Sequence, residues 1–286
     1  MDPFAFITIV TLLAGMGGTG LGGIVGALFR SESNRTVSLL LSLAGGIMLS
    51  IVCFDLLVEG LNAGRQVDET FAIFFLGAAV IVGVALVAAL NRIIDSRTRR
   101  EVPHVSTADH PATHDDLDEL IHADHLAQHR LESASRATLF VAGVVMACAI
   151  ALHNVPEGMT IGASYASQQD LLAGSALVLA VLIGLHNIPE GMAVAVPLIS
   201  GGMKRHRAVL VTALSGLPTV LGAWFGFWLG DIGPLGLCMS LGLASGAMLY
   251  VVFGEIIPQA VLMYRSKLPA YFVVGGILLG MLIIFV

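Results

Sequence analysis

The sequence predicts an all-α integral membrane protein with eight transmembrane helices, and three observations support this. First, 56% of the 286 residues are apolar and 12% are charged, which is about half the charged fraction of an average soluble domain. Second, apolar runs long enough to cross a bilayer recur eight times. Third, connections rich in Lys and Arg alternate along the chain with connections that almost lack them. The net charge of −6 argues against a nucleic-acid partner, which would need clustered positive charge.

The eight apolar runs define the predicted spans. A helix needs about 20 mostly apolar residues to cross the hydrocarbon core. The runs cover residues 4–29, 37–62, 70–94, 137–166, 171–200, 207–230, 235–264 and 268–286. The first run is predicted to be a retained span, because it lacks a basic n-region and is too long for a signal peptide. The chain, 1–286, is therefore predicted to be one transmembrane domain, with a polar loop at 95–135.

The distribution of Lys and Arg predicts which side of the membrane each connection faces. Cytoplasmic connections of multi-pass proteins carry the excess of basic residues. Thirteen of the 14 basic residues lie in or beside connections that follow odd-numbered spans, and only Arg65 follows an even-numbered one. The odd-numbered connections, including the loop at 95–135, are therefore predicted to be cytoplasmic, and both termini are predicted to be extracytoplasmic.

Glycine recurs at four-residue spacing in several predicted spans. Residues four apart lie on one face of a helix, and small residues on one face let transmembrane helices approach closely. These glycines are therefore predicted to lie at helix contacts. The clearest examples are Gly18, Gly22 and Gly26 in the first span and Gly222, Gly226 and Gly230 in the sixth.

One short motif occurs in both the fourth and the fifth span. HNVPEGM covers residues 153–159, and HNIPEGM covers residues 186–192, 33 residues later. His153 lies one helical turn from Glu157, and His186 lies one turn from Glu190, so each pair shares a helix face. An ionisable group inside a bilayer costs about 2.5–3.5 kcal/mol on insertion scales. Two copies of a motif with ionisable side chains, each near the middle of a predicted span, therefore indicate a functional site.

Two facing copies of the motif would supply a mixed set of nitrogen and oxygen ligands. The set has two imidazoles, two carboxylates and the amide oxygens of Asn154 and Asn187, and it suits Zn²⁺ and related divalent metals. One alternative is interhelical hydrogen bonding that only joins the two spans, and another is a metal-dependent membrane enzyme. The helical metalloprotease signature HExxH is absent from the sequence. The chain is therefore predicted not to be an enzyme and to need no catalytic cofactor.

The paired HNxPEG motif, with AGGIMLS at 44–50 and ASGAMLYVVFGEIIPQ at 244–259, closely resembles the Zrt/Irt-like (ZIP) divalent-metal transporters. The resemblance covers nearly the whole chain. It implies a 3+2+3 helix bundle that forms a homodimer in the cell membrane. It also implies import of Zn²⁺, or of Fe²⁺, Mn²⁺ or Cd²⁺, into the cytoplasm by alternating access at a two-metal centre between spans four and five.

The resemblance also assigns roles to individual residues. The residues that match metal ligands are His153, Asn154, Glu157, His186, Asn187 and Glu190, with the two asparagines at the second metal position. Met48 resembles a thioether that reaches the centre in some members. In SGLPTVLG at 215–222, Thr219 stands where many bacterial members have Glu. Thr is uncharged and a poorer ligand, and this departure resembles the GufA-like branch of the family.

Three further carboxylates lie within the predicted spans. Asp55 and Glu59 are one turn apart in the outer half of the second span, and Glu255 lies in the inner half of the seventh. Asp55 and Glu59 are predicted to attract cations from outside; alternatively, they are interface carboxylates that face water. Glu255 is predicted to be a metal ligand or an exit-side relay; alternatively, it forms an ion pair between packed helices.

The polar loop at 95–135 contains six of the nine histidines. His122, His125 and His129 would share a face if residues 115–133 formed a short helix. Short His-rich tracts can bind metal, so weak metal capture or regulation is one interpretation. A solvated linker is the alternative.

Deleting residues 104–129 should leave metal uptake in place and change its regulation or apparent affinity. The reason is that this segment lies outside the membrane and holds no part of the paired motif. Uptake of radioactive Zn²⁺ by cells expressing the deletion variant, normalised to the amount of inserted protein, measures the effect. Complete loss of uptake by correctly inserted protein would contradict the prediction.

Overall fold

A computed structural model describes residues 2–28, 34–98, 136–167 and 174–285. Every regular element in these ranges is helical, and eight helices within them are long and apolar enough to cross a membrane. The predicted all-α fold with eight spans is thus confirmed. Residues 115–133 and the six loop histidines lie outside the described residues.

The spans are numbered α1 to α8 in chain order. They cover Pro3–Leu28, 34–67, Ala72–Thr98, Arg136–Ala166, Ser175–Ser200, Arg205–Asp231, Pro234–Met263 and Leu268–Phe285. The largest differences from the predicted spans are in α2, which begins three residues earlier and ends five later, and in α3, which continues to Thr98. Hydropathy marks the edge of the hydrocarbon core, whereas helical hydrogen bonding can continue into the polar region.

Four spans contain an interruption that hydropathy does not reveal. One turn of π-helix occupies Leu13–Gly17 in α1, Val52–Leu56 in α2 and Val252–Ile256 in α7. The helix of α6 is interrupted at residues 216–217, between Arg205–Ser215 and Pro218–Asp231. A π-turn displaces the helix register locally and is frequent at functional sites.

The helix contacts follow a two-fold pattern. The most extensive contacts pair α4 with α6, α5 with α1, α2 with α8 and α3 with α7, and α4 and α5 pack against each other. Exchanging α1–α3 with α6–α8, and α4 with α5, maps the α4–α6 contact onto α5–α1, the α2–α8 contact onto α7–α3, and the α4–α5 contact onto itself. Each exchange joins an odd-numbered span to an even-numbered one, so the halves are inverted repeats of the kind found in transporters. This is the expected 3+2+3 arrangement.

Matching residues of α2 and α7 support the same exchange. Met48 and Met248 each precede a π-turn by four residues, and the fourth residue of each turn is acidic: Asp55 in α2 and Glu255 in α7. The two methionines are fully buried. The similarity between AGGIMLS and ASGAMLY therefore reflects equivalent places in the two repeats.

Glycines form the seams that bring these helices together, as the four-residue spacing predicts. A Cβ atom added at Gly158 of α4 would lie 1.9 Å from the carbonyl oxygen of Thr219 in α6. A Cβ added at Gly222 would lie 2.0 Å from the carbonyl oxygen of Val155. In the equivalent α1–α5 seam, a Cβ at Gly22 would lie 2.1 Å from the Ile188 oxygen. Only glycine permits these approaches.

Replacing Gly222 by Ala should destabilise the α4–α6 seam, because the added methyl group meets backbone that cannot move aside. Overpacking of this kind costs roughly 1–3 kcal/mol, so the variant should lose its monodisperse peak at a lower temperature than the wild type. Gly77→Ala is the matched control, because a Cβ at Gly77 meets nothing within 4 Å. Size-exclusion chromatography after stepwise heating in detergent measures both, and equal midpoints for the two variants would contradict the packing.

Candidate metal centre

Four ionisable side chains converge where α4 and α5 cross. His153 and Glu157 come from α4, and His186 and Glu190 come from α5. One potential ligand atom from each lies within 4.8 Å of the others, and all four side chains are at most 2% exposed. The one-turn spacing within each motif places the His and the Glu on the face that the two helices share, as predicted.

The printed contacts within this His/Glu cluster are shorter than the edges of a tetrahedral coordination polyhedron, most of them by a few tenths of an ångström. His153 Nε2 lies 3.0 Å from Glu157 Oε1 and 3.2 Å from Glu190 Oε1, and His186 Nε2 lies 2.6 Å from Glu157 Oε1. Tetrahedral ligands at about 2.0–2.2 Å from Zn²⁺ are about 3.3–3.6 Å apart. Adjustments of a few tenths of an ångström in most of these contacts would therefore admit one ion.

The hydrogen bonding of His186 leaves its second nitrogen available to a cation. Its Nδ1 lies 3.1 Å from the carbonyl oxygen of Leu182, which can only accept, so Nδ1 carries the hydrogen. In the neutral ring, Nε2 then directs a lone pair at Glu157 Oε1. Two lone pairs at this distance repel each other unless a proton or a metal lies between them. Orientation of a ligating imidazole by a backbone carbonyl is common at metal sites.

The two buried carboxylates, Glu157 and Glu190, have oxygen atoms that accept no hydrogen bond from the described part of the chain. Among the described residues, neither oxygen of Glu190 and only one of the two oxygens of Glu157 has a hydrogen-bond partner. Buried charged groups normally have hydrogen-bond partners or coordinate metals. The donor set, two imidazoles and two carboxylates without a thiolate, therefore fits a borderline divalent metal such as Zn²⁺.

The two motif asparagines lie beside the cluster and connect it to the flanking spans. Asn154 donates from Nδ2 to the carbonyl oxygens of Ile150 and Ser215, at 2.8 and 3.2 Å. Asn187 donates from Nδ2 to the carbonyl oxygen of Ala14, at 3.3 Å. The accepting carbonyl of Ala14 lies within the π-turn of α1, and that of Ser215 directly precedes the break in α6.

Three other predicted site residues belong to α2 and α7 and are not among the four residues of the His/Glu cluster. Met48 is fully buried in the apolar core of α2. Asp55 is partly buried within the α2 π-turn. Glu255, in the α7 π-turn, accepts a hydrogen bond from Nδ2 of Asn91 in α3. Their roles toward a metal stay predictions.

Other spans contribute to the site through contacts that were not predicted. The backbone of α1 and α6 holds the motif asparagines; in the sequence, Pro218 signals a break in α6. Ser167 donates to Glu59 Oε1 at 2.7 Å, connecting the C-terminal ends of α4 and α2. No local pattern in the sequence indicates these contacts, because they join residues far apart in the chain.

The chain is similar to known zinc transporters. A family model described as ZIP Zinc transporter matches residues 4–286. The zinc transporter ZupT of Corynebacterium aurimucosum is 31% identical, over 91% of this chain and 89% of that protein. The ZupT of Chlorobium luteolum is 33% identical, over 91% of this chain and 90% of its own. The zinc transporter ZIPB of Bordetella bronchiseptica is 35% identical, over 86% of this chain and 70% of its own.

The match covers all eight spans and includes both copies of the motif. The relatives are named as zinc transporters and not as enzymes, in agreement with the absence of a protease signature. The chain belongs to the ZIP zinc transporter family, a family of multi-pass membrane proteins.

Proposed function

We propose that this protein imports Zn²⁺, or a similar divalent metal such as Fe²⁺, Mn²⁺ or Cd²⁺, into the cytoplasm by alternating access. The ligands are His153, Glu157, His186 and Glu190. The observation that carries the proposal is the buried cluster that these four side chains form between two equivalent helices. The zinc transporter names of the relatives support the same cargo.

Charge neutralisation explains why the site contains two carboxylates. A divalent cation that leaves water loses its hydration, and an isolated charge in a low-dielectric interior is strongly unfavourable. Glu157 and Glu190 together carry two negative charges, which offset those of one Zn²⁺. The imidazole nitrogens replace further water ligands without changing the net charge. This arrangement binds the ion while it crosses the middle of the membrane.

The inverted repeat suits an alternating-access cycle. Each of α4 and α5 supplies one His and one Glu, so the site lies on the pseudo-two-fold axis that exchanges the helices. In transporters of this type, the two repeats rearrange around a central site and open it first to one side and then to the other. The near-complete burial of all four ligands corresponds to an occluded state in that cycle.

The proposal also includes the direction of transport and the oligomeric state of the protein. The distribution of basic residues supports a topology with both termini outside the cell membrane and the loop at 95–135 in the cytoplasm. Asp55 and Glu59 then lie at the outer end of α2, where they attract incoming cations, and Glu255 lies toward the cytoplasmic exit. Met48 reaches the centre from α2 as a thioether. The protein works as a homodimer.

Replacing Glu157 or Glu190 by Gln should reduce uptake to that of protein-free liposomes, because each change removes one ligand charge from a dehydrated cation. Proteoliposomes loaded with a zinc-sensitive dye and exposed to external Zn²⁺ measure the rate. Glu69→Gln is the matched control, since Glu69 is exposed in the connection between α2 and α3. Wild-type uptake by either cluster variant, at equal reconstitution, would contradict the site assignment.

A further inference from the structure

The two copies of the motif are identical in their polar residues, but their asparagines have different surroundings. The amide oxygen of Asn154 lies 3.0 Å from Thr219 Oγ1 and 3.4 Å from Asn187 Nδ2. The amide oxygen of Asn187 is buried and has no hydrogen-bond partner among the described residues. One asparagine oxygen is therefore committed to hydrogen bonds, whereas the other is free to bind a ligand.

Backbone carbonyls determine which way each amide points. Asn154 Nδ2 faces the carbonyl oxygens of Ile150 and Ser215, and Asn187 Nδ2 faces that of Ala14. A carbonyl oxygen only accepts, so turning either amide over would bring two acceptors together. The oxygen of Asn154 must therefore face Thr219.

The Thr219 hydroxyl is positioned to donate to Asn154. Its single hydrogen can reach Asn154 Oδ1 at 3.0 Å or the carbonyl oxygen of Gly216 at 2.8 Å. The Gly216 oxygen already accepts from the backbone N–H of Thr219, so the hydroxyl satisfies an additional acceptor by donating to Asn154. The side chain is also confined, because a Cβ placed on Gly15 would lie 2.3 Å from Thr219 Oγ1.

The inverted repeat shows why Asn187 lacks the same partner. Ala14 and Ser215 are equivalent, since each accepts from the asparagine of the adjoining motif copy. The π-turn of α1 adds one residue, so the counterpart of Thr219 is Thr19: the Thr219 carbonyl faces Gly158 of α4, and the Thr19 carbonyl faces Gly191 of α5. The Thr19 hydroxyl donates to the carbonyl oxygen of Gly15 at 2.9 Å, and the α1 residue that faces Asn187 is Gly18. A Cβ at Gly18 would lie 2.5 Å from the carbonyl oxygen of Gly184 and 2.8 Å from Asn187 Cβ. This position has no room for a hydroxyl.

The charge of the cluster sets the number of ions that it can neutralise. Within the described ranges, its buried carboxylates are Glu157 and Glu190. Two divalent cations would bring four positive charges to two negative ones, and uncompensated buried charge is strongly destabilising. A second ion would also need ligands beyond the four cluster residues, and the Asn154 oxygen is already engaged.

From these contacts we infer that the centre binds one divalent cation at a time, because the Thr219 hydroxyl holds the Asn154 oxygen out of the ligand set. Asn154 is then a positioning residue that ties α4 to α6, and Thr219 determines both the number of ions and the choice of metal. The inference rests on the proposed transport site and replaces the expectation that Asn154 binds a second metal.

The number of bound ions tests the first part of the inference, that the centre binds one divalent cation at a time. Equilibrium dialysis of purified protein against Zn²⁺, followed by elemental analysis, should give one ion per protomer. Thr219→Glu supplies a third carboxylate and should give two. Two ions in the wild type, or one in Thr219→Glu, would overturn the inference and leave the proposed function standing. One ion retained by a Glu157→Gln, Glu190→Gln double variant would instead overturn the proposed site.

Metal preference tests the second part of the inference, that Thr219 determines the choice of metal. This measurement does not require the Thr219→Glu variant to fold. Thr219→Val removes the hydroxyl at nearly constant volume and releases the Asn154 oxygen toward the metal. A carbonyl oxygen suits Mn²⁺ better than Zn²⁺, so Mn²⁺ should compete with bound Zn²⁺ about fivefold better, equivalent to one neutral hydrogen bond. Thr219→Ser should behave like the wild type.

Two further variants identify the cause of any shift. The Thr219→Val, Asn154→Ala double variant should lose the gain in Mn²⁺ competition, because the released oxygen is absent. Thr212→Val is the matched control, since Thr212 is a buried threonine of α6 whose hydroxyl has no partner among the described residues. An unchanged preference in Thr219→Val, or the same shift in the double or the control variant, would overturn the role of Thr219.

Discussion

Four ionisable side chains buried at the middle of a membrane are the constraint on which this structure depends. Each is costly to insert in a bilayer, and together they are tolerable only when a cation or a proton offsets the carboxylates. The helices around them are arranged accordingly. Glycine seams bring α1 against α5 and α6 against α4, which excludes water and lets backbone carbonyls of the flanking spans reach the motif asparagines. The same contacts that pack the bundle therefore orient the site.

The inverted repeat makes the four ligands symmetric, and differences between the two repeats determine which metal the site prefers. The ligands of α4 and α5 exchange under the repeat, whereas the hydroxyl of Thr219 reaches Asn154 and the hydroxyl of its counterpart Thr19 donates to the Gly15 carbonyl. This difference accompanies the π-turn of α1, which has a break in its place in α6. It changes which oxygen atoms are available to a metal.

The sequence predicted most of the fold and of the site because both follow from local periodicity. Span number follows from hydropathy, and the pairing of His153 with Glu157, or of His186 with Glu190, follows from the helical repeat. The π-turns at 13–17, 52–56 and 252–256 were not predictable. An extra residue in a turn shifts the phase of the helix, but a span that is apolar on most of its faces does not display that phase in its sequence. The contact between Thr219 and Asn154 depends on how α4 and α6 are aligned along the glycine seam. That alignment is set by packing between residues about 65 positions apart.

X-ray absorption spectroscopy of the Zn²⁺-loaded protein at the zinc edge tests the central claim most directly. The four-residue site predicts nearest neighbours that are nitrogen and oxygen at about 2.0–2.2 Å, with the outer-shell scattering of two imidazoles. The His153→Ala variant and the His186→Ala variant should each lose the scattering of one imidazole. A coordination shell dominated by sulfur at about 2.3 Å, or one without imidazole scattering, would contradict the account.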